Sequence, residues 1–144
     1  MTFAKDTDFR LPIQAMKSRL VAALHNVLGT YVRNDGTQVP SIWIGSKEPN
    51  PTWKRQGIEV VIDEPEEALQ FMLGGNATIE KTWVIRLVQW DRVSDLKLAK
   101  RRLMLEFPGS DFIHIAPTSS GILEQLTMRY PETEYLYKAY QNKL

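Results

Sequence analysis

From Pro12 onward, Ile13, Met16, Leu20, Ala23, Leu24, Val27 and Leu28 recur at the three-and-four spacing of one helix face, with Pro12 placed to open the helix and Gly29 to end it. Asn34-Asp35-Gly36 marks a turn, and Val39 to Ile44 forms a short strand in which Pro40 indicates an edge or a strand start. A loop with two prolines and Trp53, residues 45–56, precedes the β-branched run Ile58-Glu59-Val60-Val61-Ile62. Thr78 to Asp91 is the longest strand pattern, with Trp83, Ile85 and Leu87 on one face and Val84, Val88 and Trp90 on the other, so that part of it is covered on both sides. Ser94 or Asp95 caps a second helix with a Leu96, Ala99, Leu103, Phe107 stripe, stopped by Pro108-Gly109. Phe112 to Ile115 and Ile122 to Tyr130 are strands separated by the turn 117–121.

The resulting order, α-β-β-β-α-β-β, predicts a single α+β domain over residues 1–144. Its sheet is mostly antiparallel or mixed, with two helices on one face. Residues 1–11 and the tail 131–144 lack a clear period and are expected to be peripheral. One connection fits two structures. Pro65, Glu66 and Glu67 ahead of Ala68, Leu69, Met72 and Leu73 suit a short helix, and the same residues suit an extended hairpin arm.

Composition narrows the chemistry. Lys and Arg total 18 against 17 Asp and Glu, a net charge of +1, so any attraction to nucleic acid must come from a local patch. Cysteine is absent, which excludes disulfides, thiolate nucleophiles and cysteine-held metals and suits a reducing compartment. No apolar run is long enough to span a membrane, and the first residues do not resemble a secretion signal. His25 and His114 stand alone, without the spacing of a zinc pair. Ser94-Asp95-Leu96-Lys97 matches S-x-x-K, but no companion motif follows, and Ser94 fits a helix cap better. The acids Glu59, Asp63, Glu64, Glu66 and Glu67 are expected on a solvated rim. No catalytic, metal or cofactor motif emerges. Lys97, Lys100, Arg101 and Arg102 make a basic face on the second helix, suited to phosphate, to an acidic neighbour or to solvent.

Several segments, in their order and spacing, resemble the tail terminator proteins of tailed bacteriophages, also described as tail completion or minor tail proteins of the neck. They are the early helix running into Leu28-Gly29-Thr30-Tyr31, the strand Val39 to Ile44, the Pro-rich loop with Trp53, and Gly57 to Ile62. Thr82-Trp83-Val84-Ile85-Arg86-Leu87-Val88-Gln89-Trp90-Asp91, a helix ending in Phe107-Pro108, and a strand after Leu123-Glu124-Gln125 complete the match. The resemblance covers most of residues 13–130, and no single motif in it is diagnostic.

It implies a non-enzymatic virion subunit, assembled in the host cytoplasm, that forms a ring, commonly of six copies, on the tail tube and meets the head–tail connector. A head–tail connector or other neck component is the alternative within the class. A small nucleic-acid-binding α+β protein is the alternative outside it. On the ring reading, the run Phe71-Met72-Leu73 and the tail residues Tyr135, Tyr137 and Tyr140 lie at an inter-subunit or tube interface. A short helix that packs Leu69, Met72 and Leu73 on the subunit's own core, and a frayed tail, are the plainer readings. Trp53 is either a contact anchor or a lid on the core. The basic face would meet an acidic neighbour, or DNA in the channel without base readout.

Overall fold

The computed structural model describes residues 12–45, 48–71 and 77–136 of the chain. Helix α1 (Pro12–Ala23) opens at Pro12 as its sequence predicts but stops short of Gly29. Asn26 takes a left-handed φ of 67°, a conformation Asn tolerates better than most residues, and the chain turns out of the helix there. Leu24 nonetheless remains fully buried beneath the turn.

The expected strand 39–44 is two strands, β2 (Gln38–Pro40) and β3 (Ile42–Ile44), which break at Ser41 and enter different sheets. Two strands appear where the pattern showed none, β1 (Thr30–Val32) and β4 (Lys54–Gln56), the latter inside the Pro-rich loop. Together they form a small antiparallel sheet in the order β2-β1-β4, with Pro40 at the end of an edge strand, where its missing N–H removes no ladder bond.

The main sheet contains β5 (Ile58–Ile62), β6 (Glu66–Phe71), β7 (Ala77–Gln89), β8 (Asp111–Ile115) and β9 (Glu124–Leu136) as well as β3. Its order is β3-β5-β7-β9-β8, with β6 also on β7, and only the β3–β5 pair is parallel. Helix α2 (Leu96–Glu106) is capped by the Asp95 side chain, which accepts from the N–H of Leu98. Register sorts the faces. Val60, Leu87 and Leu126 line up across three strands, as do Ile62, Ile85 and Met128, and both rows belong to the core beneath α1 and α2. Two helices on one face of a mixed sheet, in a single α+β domain, is the architecture the pattern predicted.

Reciprocal arginines tie the helices together. Arg19 donates to the carboxylate and the carbonyl of Glu106 at the end of α2, and Arg102 donates to the carbonyl of His25 just beyond α1. Gly29 and Gly57 meet where the two sheets join: a Cβ on Gly29 would lie 2.0 Å from the Gln56 carbonyl oxygen, so no larger residue fits.

Residues 66–71 resolve the ambiguous connection. They are strand, paired residue by residue with Ala77 to Thr82, because a cross-strand ladder offers more than the few bonds of one isolated helical turn. Residues 131–136, expected to begin a peripheral tail, are instead the second half of β9 and pair with the same stretch of β7. Pro131 is tolerated because β8 has already ended, leaving that edge of β9 without a partner to lose. The core cluster reaches Trp83 and Tyr130, and β6, β7 and β9 run on past it as a three-stranded arm about 20 Å long.

Candidate functional site

Among the described residues, charged and aromatic side chains gather in several places, and two of them hold residues singled out from the sequence. The first lies on the sheet face turned away from the helices. Glu59 is only 3% exposed, because alternation along β5 sends it to the side opposite Ile58 and Val60. Its oxygen Oε2 accepts from the Tyr31 hydroxyl (2.5 Å), the Trp43 indole (2.8 Å) and Arg55 Nε (3.1 Å), and Oε1 accepts from the Trp90 indole (2.9 Å). The expectation that Glu59 belongs to a solvated rim is therefore corrected. An acid enclosed by Ile58 and Val60-Val61-Ile62 was the signal for burial, since a buried carboxylate requires a full set of donors.

Burial pushes the Tyr31 phenol far above the ordinary tyrosine range, and its hydrogen bond to Glu59 acts in the same direction. The Arg55 guanidinium lies 5.9 Å from the Tyr31 ring centre and 5.5 Å from that of Trp90. Four donors occupy this carboxylate and tie the small sheet to the large one. The arrangement is a structural clamp.

Trp53 sits beside the clamp. It is half-buried, its ring 6.4 Å from Tyr31 with Arg33 5.4 Å from its centre. With Tyr31, Trp43, Val39, Ile42 and Lys17 it helps to line a groove of about 330 Å³. This placement leaves both readings of Trp53 standing, since its ring lines a surface groove and lies outside the core cluster.

The second place is a groove of about 330 Å³ between α2 and the β8–β9 pair. Leu96, Met104 and Leu126 give it apolar walls; Lys97, Lys100, Arg101 and His114 bring positive or titratable groups, and Glu124 one negative charge. Lys100 also lies over Phe112, 5.6 Å from the ring centre. Three of the four predicted basic residues thus converge, joined by His114, which sequence spacing had left alone. Arg102 does not join them: its guanidinium is turned to the His25 carbonyl, and it is removed from the basic face as a correction.

For the other predicted contact residues, the structure places Phe71 and Tyr135 at backbone level only, Phe71 as the last residue of β6 opposite Ala77 and Tyr135 in β9 opposite Thr78. Met72, Leu73, Tyr137 and Tyr140 lie outside the described residues. Two residues before Phe71, Leu69 is 53% exposed. Among the described residues, no group of three or more His, Cys, Asp and Glu side chains is placed to hold a metal ion, and no helix is long and apolar enough to cross a membrane. No protein-family model matches the chain, and no curated protein matches it.

Proposed function

We propose that this protein is a structural component of the neck of a tailed bacteriophage, a tail terminator whose ring caps the tail tube and meets the head connector. The reading rests on the sequence resemblance. The observation that best supports it is the β6–β7–β9 arm, which carries exposed Leu69 and leads into Met72 and Leu73. Apolar residues displayed beyond a subunit's own core are costly on a free monomer and useful on one whose neighbours cover them.

The rival class, a nucleic-acid-binding protein, draws on Lys97, Lys100 and Arg101. Glu124 and the apolar walls in the same groove suit a protein segment better than a run of phosphates. Native mass spectrometry of the purified protein, alone and mixed with the tail-tube protein of the same phage, tests the proposal. A closed ring in either sample is the expected result. A monomer in both overturns it.

A further inference from the structure

The main sheet has exposed ladders on opposite sides of its longest ribbon. β6 lies on the β5 side of β7, β8 lies on the far side of β9, and among the described residues neither has a second neighbour. An unpaired edge is a template for another strand unless charge, proline or a covering element blocks it. β8 has no such protection: Asp111 is its one acid, it has no lysine or proline, and Ile113 and Ile115 are 53% and 40% exposed.

Strand directions and faces of the two edges match. β6 and β9 run opposite to β7, and β8 runs with it, so a β6 laid beside β8 with helices on the same face is antiparallel. On that helix face β6 presents Glu67 and Leu69, which share the parity of Trp83 and Ile85 through their partners Lys81 and Ile79. On the same face β8 presents Phe112 and His114, opposite Met128 and Leu126, below Lys97, Lys100 and Arg101. An acid followed by a leucine thus faces a basic groove with apolar walls. Glu67 lies 3.8 Å from Lys81 in its own chain yet keeps 54% of its side chain exposed.

We propose that β6 of one copy pairs antiparallel with β8 of the next, with Glu67 meeting the cations of α2 and Leu69 the apolar wall, so that one sheet runs from subunit to subunit. Because the two edges differ, the contact is head to tail and closes into a ring or propagates as a filament. β6 stands level with residues 77–82 of β7, while β8, through β9, stands level with 84–88. The step between copies is therefore about 20 Å along the strands and about 20 Å across them, four strand spacings. A ring built on that diagonal inclines its strands by about 45° to its axis, close to the tilt at which β-barrels close.

This inference rests on the ring reading, and the test separates the two. The chain has no cysteine, so Ala68→Cys with Ile113→Cys, both on the face away from the helices, reports the new pairing through a short bismaleimide crosslinker. A ladder of covalent multimers from the double variant, with each single variant staying monomeric on a denaturing gel, is the expected result. Glu67→Lys and Lys100→Glu each raise the concentration needed for assembly about tenfold, and combining them recovers most of the loss. Rings in native mass spectrometry without a ladder overturn the strand pairing and leave the ring reading standing. Neither rings nor a ladder overturns both.

Discussion

The Glu59 clamp and the α2–β8 groove are built from similar residue types, cations beside aromatic rings and a carboxylate, yet they differ in what remains available. At Glu59 two indoles, a phenol and a guanidinium converge on one buried carboxylate. In the groove Lys97, Arg101 and Met104 are exposed, while Leu96 and Leu126 at its floor belong to the core. A polar network that satisfies itself stabilises the fold, whereas one left open in a cleft has its energy still to gain from a partner. Conspicuous aromatic and charged residues are therefore poor guides to function until their partners are known.

The largest effect is expected at Glu59. Glu59→Ala leaves Arg55 and three neutral donors facing a void, and chemical denaturation is expected to show a loss of about 3–5 kcal/mol. A loss below about 1 kcal/mol, within the range of ordinary surface changes, would mean that the clamp does not hold the sheets together.

Next in size is an alkaline effect. The folded-state pKa of Tyr31 is raised above its unfolded value, so its contribution to stability is fully present below the unfolded value and is lost as pH climbs through the folded one. Above about pH 10, where an exposed tyrosine ionises, the native protein holds this phenol protonated more strongly than the unfolded chain does. Tyr31→Phe is expected to leave the native tyrosinate absorbance titration unchanged and to lower the amplitude released on unfolding.

Arg102→Ala, which frees the His25 carbonyl and removes one of the two ties between the helices, is expected to cost about 1–2 kcal/mol, measured by the same denaturation. Smallest is the groove: Lys97→Ala and Arg101→Ala each change stability by less than about 0.5 kcal/mol, whatever they do to assembly. An Arg102 variant as silent as these two would return that residue to the open basic face.

Much of the fold was legible in the chain. The 3.6-residue stripes of α1 and α2 and the alternation through Trp83, Ile85 and Leu87 led to two helices on one face of a sheet, because burial of a periodic face is a local property of the pattern. β1 and β4 were not legible: three residues each, with no alternation of their own, they are strands only because they pair across more than twenty residues of chain. Glu66 to Phe71 reads equally well as helix or strand, and its partner on β7 decided it.

The candidate sites divide in the same way. Lys97, Lys100, Arg101 and Arg102 were recognisable as one basic stretch because they lie within two turns of a single helix. The meeting of the first three with His114, the turning of Arg102 to a carbonyl just beyond α1 and the gathering of Tyr31, Trp43, Arg55 and Trp90 around Glu59 depend on segments distant in the chain. By itself the sequence determined periodicity, and with it which residues share a face. Only the tertiary structure decided which charges are neutralised and which remain open, because hydrogen bonds between distant segments exist only once the chain has folded.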